Sequence, residues 1–437
     1  MSTALRRLAV ASMCAASALA CEAPARPEPA HSLRHPLALQ QPPQPAGSGL
    51  PVLREQERLR RSPGSSQAWV RLGEAWIAAA REMADPGLYH GAADCADAAL
   101  ELTPADPQAL ALRAMVSLEA HRFDEARRLG EELLQGNPRQ PVALGLLSDA
   151  LLELGRFEEA VDAAQRMVDL KPGLPSYARA AWLRWLRGDV DGALEAARLA
   201  IDAGGSREPR AWLMVQVALM RWNRGEVEAA DAEVDRALAE LPHYPPALAA
   251  KGRVALARAH FSESVRWLEE AQERSPLVET AWLLGDARSA LGDTQGAEQA
   301  WTEVIRTGRA LDRRTLALFY ATRDRDHREA LRLAEEERRV RGDLYTEDVY
   351  AWALYRVGRI AEARQASARA TRLGTPDARL LYHAGAIEVA AGRVREGRAL
   401  VRAALALNPH FDRSAAVEAR RLLAQRPPAR SVQRAAQ

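Results

Sequence analysis

Lysine is nearly absent. Only Lys171 and Lys251 occur, so 58 of the 60 basic residues are arginine. Basic and acidic residues balance to a net charge of +2, and they alternate along most segments as a solvated face does. The one-sided clustering of a nucleic-acid footprint is missing, so nucleic acid is not expected as a partner. Aromatics make up 5% of the chain. Three cysteines, Cys14, Cys21 and Cys95, are too few and wrongly spaced for a disulfide framework or a zinc site. Runs with β-branched alternation are scarce, which argues against sheet. No phosphate-binding, dinucleotide-binding, nucleophile-elbow or zinc-protease motif occurs. His90 with Cys95 reads as packing around a small thiol, and Asp324, Asp326 and His327 read as a charged turn between helices. No catalytic residue, metal or cofactor is expected.

What is present is helix-forming residues. The 437 residues are 48% hydrophobic and dominated by alanine, leucine, arginine and glutamate. The stretch "GRFEEAVDAAQRMVDLKP" (155–172) is an amphipathic helix with glycine before it and proline behind. Close counterparts start at residues 121, 188, 225, 259, 292, 325, 358 and 392, at intervals of 33 to 37. A fixed period of this size marks stacked supersecondary units. The sixth residue is always small: Ala126, Ala160, Ala193, Ala230, Ser264, Ala297, Ala330, Ala363 and Gly397. Closely crossed helices need such residues at their contact. Pro138, Pro172, Pro242, Pro276 and Pro409 end five of the segments. A second helical run precedes each segment, so the unit is helix, turn, helix.

These residues resemble the tetratricopeptide repeat. The first unit has Trp69, Leu72, Gly73 and Trp76, then, after an insertion around "DPGLYHG", Ala92, Ala96, Ala99 and Pro104. The third has Leu144, Leu147, Ala160, Ala164 and Pro172, and the last two have Tyr350, Ala351, Ala363, Ala370, Ala384, Gly385, Ala404 and Pro409. The fifth unit carries an extended first helix and the eighth a short one. The resemblance implies an all-α, right-handed superhelical solenoid of about ten hairpins over 66–410, with an N-terminal helix and linker at 51–65 and a capping helix at 411–425. Residues 426–437 are expected to be disordered. The chain is also similar to bacterial exported tetratricopeptide proteins that mostly lack an assigned activity.

The start, "MSTALRRLAVASMCAASALAC", has Arg6 and Arg7, an apolar run too short to span a bilayer comfortably, and small residues. Residues 1–20 read as a signal peptide. Cys21 follows directly, in an arrangement that resembles the bacterial lipobox, although Ala18 stands where leucine is usual. Plain export, or an uncleaved helix, is the alternative. By the usual sorting pattern Glu22 favours the outer membrane over retention elsewhere in the periplasm. Residues 21–50, rich in proline, read as a disordered tether.

The resemblance further implies that positions 2, 5, 9 and 12 of each first helix line a concave groove that holds peptides or partner helices. Those positions carry Trp182, Trp185, Trp212, Trp222, Trp282, Trp352, Tyr355 and Tyr382, with Asp348 and Arg379 as polar anchors. An exposed stripe of rings is a recognition surface; the alternative is that these rings pack between units or under the cap. The lysine–asparagine clamp that holds chaperone carboxylates in the family is absent, the corresponding places holding Ala111, Met115, Gly145, Asp149, Ala249 and Arg253. The expectation is a protein-binding scaffold of the bacterial envelope, not an enzyme. The alternative is a periplasmic accessory module that binds glycan or assembles an export or polysaccharide machine. Nothing in the sequence fixes the oligomeric state.

Overall fold

The structure is a computed structural model, and it describes residues 34–43 and 49–425. The signal segment 1–20, Cys21 and the tail 426–437 lie outside the described residues. Helix α1 (Leu50–Arg61) precedes ten hairpins. The first five are α2 (Ser66–Met83) with α3 (Tyr89–Leu102), α4 (Pro107–Glu119) with α5 (Phe123–Gly136), α6 (Pro141–Glu153) with α7 (Phe157–Leu170), α8 (Leu174–Leu186) with α9 (Val190–Asp202), and α10 (Arg207–Asn223) with α11 (Val227–Glu240). The second five are α12 (Pro245–Ala257) with α13 (Phe261–Arg274), α14 (Val278–Ala290) with α15 (Thr294–Leu311), α16 (Arg313–Thr322) with α17 (His327–Val340), α18 (Leu344–Arg356) with α19 (Ile360–Ala370), and α20 (Ala378–Ala390) with α21 (Val394–Leu407). Helix α22 (Arg413–Ala424) closes the stack. No strand occurs among the described residues. The chain is an all-α, right-handed superhelical solenoid.

Local chemistry sets the helix ends. Pro107, Pro141 and Pro245 stand at the first position of α4, α6 and α12, where a missing N–H costs nothing. Asp106, Asp189, Asp293, Asp326, Asp343, Asp377 and Asp412 accept backbone N–H groups at helix starts. The small residue of each second helix sits at the crossing with its partner. Ala126, Ala160, Ala193, Ala230, Ala330 and Ala363 have no exposed surface. Ser264 is equally buried and its hydroxyl donates to the Gly252 carbonyl at 2.8 Å. The insertion after α2 forms a 3-10 turn, Pro86–Leu88.

Part of the segment expected to be a tether is folded. Residues Pro36–Leu39 make a 3-10 turn against the first hairpin. The Ala38 carbonyl accepts from the Trp76 indole at 3.0 Å and from Gln56 Nε2 at 3.1 Å. Asp94 accepts the Leu37 N–H at 2.8 Å, and His35 lies edge-on to Trp69. Two buried donors, Trp76 and Gln56, need acceptors that the helices do not supply, and this strap supplies them.

The ten hairpins form two superhelical turns that touch. The first-to-second-helix turns of hairpins 1, 3, 4 and 5 meet loops 186 to 191 residues later. Ser275 Oγ donates to Ala84 O at 2.6 Å, and Gly342 N donates to Glu153 O at 2.8 Å. Thr375 Oγ1 donates to Leu186 O at 2.6 Å, and Asn408 Nδ2 donates to Trp222 O at 2.8 Å. In hairpin 2, the Arg341 guanidinium stacks on Phe123 at 5.0 Å. One superhelical turn thus takes about five and a half repeats, a pitch that follows from a small rotation summed over stacked units.

Candidate functional site

Contact between turns changes what faces the axis. Trp185, Trp352 and Tyr382 are 2% exposed or less. Trp185 belongs to the core shared by hairpins 3, 4, 5, 9 and 10. Trp352 is sandwiched: His383 stacks on it at 4.1 Å and Tyr355 at 4.8 Å. Tyr382 donates to Glu418 of α22 at 3.0 Å and packs on Phe411. Asp348, also buried, pairs with His383 Nδ1 at 3.0 Å. These residues are interior, because neighbouring hairpins and α22 bury their faces, and they are withdrawn from any groove surface. Trp182 stacks on Tyr345 from the other superhelical turn, their centroids 6.4 Å apart, beside a cavity of about 90 Å³. Trp212 is 41% exposed and lines neither this cavity nor the larger one described next.

Three of the expected groove residues, Trp222, Trp282 and Arg379, meet at one place. They line a cavity of about 360 Å³ closed on one side by residues 409–420, the approach to α22 and its first turns. The wall from α12 is Arg253, whose guanidinium lies 4.8 Å over the Trp222 ring and pairs with Glu279 at 2.6 Å. Arg253 holds the Glu279 carboxyl below its ordinary range, and the fields of Arg379 and Arg314 act in the same direction. Asp286, at the base, pairs with Arg323 and accepts from the Trp301 indole at 3.3 Å. Burial is the largest influence on it and pushes its carboxyl up to about 7, with Asp412 adding to the rise and Arg323 opposing it. Arg413 sits 5.1 Å over Phe261, and Arg420 donates to Pro409 O at 3.3 Å. Three buried donors on the wall, the Trp222 indole N–H, the Thr322 hydroxyl and Arg379 Nε, have no hydrogen-bond acceptor.

Sequence reasoning found the rings and missed most of the charge. Arg253, Glu279 and Asp286 occupy groove positions 9, 2 and 9 of their first helices, so the pattern that selected the tryptophans also contained them. Phe261, His383 and the residues of α22 reach the cavity only through the wound shape. Among the described residues no group of three or more His, Cys, Asp or Glu side chains is placed to hold a metal ion, and no helix is long and apolar enough to cross a membrane.

The architecture defines an α-solenoid of stacked helical hairpins. The chain is a tetratricopeptide repeat protein: two models of that repeat match residues 77–141 and 117–183, and the hairpin they cover recurs along the described residues. Repeats of this kind build protein-interaction scaffolds. No curated protein matches the chain. Among solved structures, a human IFIT1 dimer with PPP-AAAA is similar at 15% identity and a TM-score of 0.47, over 81% of this chain and 84% of that one. PilW, a widely conserved type IV pilus biogenesis factor, is similar at 17% identity and a TM-score of 0.39, over 44% of this chain and 90% of that one. At such values neither bears on what this chain binds.

Proposed function

We propose that the protein is a non-catalytic scaffold of the bacterial envelope that holds a peptide or helix of a partner protein in the cavity between hairpins 5 to 7 and α22. One observation carries this reading. Between the touching turns of the superhelix, about 360 Å³ remains open beside Trp222, Trp282 and three buried donors without an acceptor. A peptide supplies carbonyl acceptors for such donors and apolar side chains for the rings. The sugar-binding alternative draws less support, because sugars stack on open ring faces and Arg253 already covers Trp222. Export and a lipid on Cys21 complete the proposal. The strap at 34–43 pins the chain to hairpin 1, so the span from Cys21 to the folded body is at most about 45 Å.

The test is a pull-down from extracts of the source organism. Val417 lines the cavity and is 42% exposed, so Val417→Trp fills the space without opening the core or changing its charge. The reading expects Val417→Trp to lose the partner and Trp212→Ala, away from the cavity, to keep it. Equal retention by both contradicts it. Mass spectrometry of the mature N-terminus decides the anchor: an unmodified Cys21 or an intact Met1 removes the lipid.

A further inference from the structure

The charges around this cavity do not balance. Four arginines line it: Arg253, Arg379, Arg413 and Arg420. The carboxylates that share the lining are Glu279, Asp286 and Asp412, and two of these have other roles. Asp286 is held by Arg323, and Asp412 caps α22, accepting from Ala415 N at 2.7 Å and Ser414 Oγ at 2.8 Å. Arg379 lies in the field of Asp377, and its one ion pair, with Asp348, is long at 3.9 Å and made to a group already bound by His383. Arg413 and Arg420 have no carboxylate within salt-bridge distance among the described residues. Glu279 is therefore the one lining carboxylate paired to a lining arginine, and its side chain is 62% exposed. It reaches in from the first turn of α14 to Arg253, within the fields of Arg379 and Arg314.

We infer that Glu279 stands in for a ligand, and that the cavity takes a partner segment in which an acidic side chain sits beside apolar ones, its carboxylate displacing Glu279 from Arg253 and bridging toward Arg379. This rests on the peptide-binding reading above and adds the chemistry of the peptide. A planar guanidinium exchanges one carboxylate for another with no change of geometry. The exchange leaves Glu279 in solvent, which it already meets. The apolar neighbours of the incoming acid meet Trp282 and Phe411. The Trp222 N–H, beside Arg253, lacks an acceptor of its own. Because the cationic surplus is spread over α12, α20 and α22, the attraction also steers approach and weakens with salt.

The experiment uses the full chain and fluorescence anisotropy with four labelled probes at low and high sodium chloride. Three are short peptides in which leucine alternates with glutamate, glutamine or lysine, and the fourth is oligouridine RNA of similar length. The glutamate peptide is expected to bind about tenfold tighter than the glutamine one, with the difference shrinking in salt. Arg253→Gln and Arg379→Gln are each expected to lose most of that preference. Glu279→Gln, an exposed change that does not threaten folding, is expected to tighten the glutamate peptide several-fold and leave the glutamine peptide unchanged. Equal binding of the glutamate and glutamine peptides, both blocked by Val417→Trp, overturns the acidic inference and keeps the peptide reading. Binding of no peptide overturns both. Tighter binding of the RNA, strengthened by Glu279→Gln, replaces a protein partner with a nucleic acid.

Discussion

Gly155 and Gly358 do the same local task. Each follows the first helix of its hairpin in the left-handed region, at φ 78° and 80°. Their surroundings differ. A Cβ at Gly155 would fall on the Gly342 carbonyl oxygen, while one at Gly358 meets nothing within 4 Å. The same contrast separates Gly188 and Gly225, whose Cβ atoms would lie 2.8 and 2.7 Å from carbonyls of the other superhelical turn, from Gly292 and Gly392, which face open space. One signal in the repeat thus serves two purposes. In the later hairpins it only reverses the chain; in hairpins 3 to 5 it also lets two turns of superhelix meet backbone to backbone.

The largest test of this difference is alanine at both sites. At Gly358 the cost is left-handed strain alone, about 1–2 kcal/mol. At Gly155 the same strain is joined by a backbone clash that must push the two turns apart, for a total of about 3 kcal/mol or more. Urea unfolding of the two variants, with no wider spread between them than between Gly358→Ala and Gly392→Ala, would remove the distinction. Next comes Asn408→Ala. It deletes the donor to Trp222 O and the acceptor for His410 N in a site with no exposure, and an expected loss of about 1–2 kcal/mol appears as a lowered urea midpoint.

A smaller effect depends on pH. His121, in the turn of hairpin 2, has its pKa lowered to about 4, first by burial and then by Arg341, with Arg313 and Arg314 adding to the fall and Asp312 opposing it. The folded form therefore takes up fewer protons than the unfolded chain between about 6.5 and 4. Its contribution is intact above 6.5 and is lost as pH falls toward 4. Thermal melts across that window are expected to fall more steeply for the natural chain than for His121→Gln; parallel profiles would mean that the turn leaves the imidazole unperturbed. The smallest effect is expected on the outside. Breaking the exposed Arg359–Glu362 pair by Glu362→Gln should leave the melting temperature unchanged within error.

The period, the small crossing residues and the prolines were legible because each is local: Ala160 is small where its own hairpin crosses, and Pro245 starts a helix with its own ring. The strap was not legible. Proline-rich sequence before α1 reads as a tether, and only the unmet donors of Trp76 and Gln56, on other helices, explain why Ala38 is buried. The groove was legible in half. Helical spacing placed Trp222, Trp352 and Tyr382 toward the axis, but whether the axis is open depends on the rotation per hairpin. That rotation is summed over packing contacts along the whole stack, and no single segment encodes it. Trp352 is therefore filled over by His383 and Tyr355, while Trp222 borders a cavity. The imbalance of charge there draws on α22, whose approach to α14 is a property of the finished superhelix.

Everything specific to this molecule follows from the contact of the two superhelical turns. A pulsed EPR distance between spin labels at Glu158→Cys and Arg372→Cys, with the native cysteines replaced, measures it directly. Arg372 Nη2 donates to Gly155 O at 3.1 Å across 217 residues of sequence. The account predicts a short, narrow distance distribution that broadens in Gly155→Ala. A long or broad distribution in the natural chain would mean that the turns stand apart, and the closed axis and its cavity would be contradicted together.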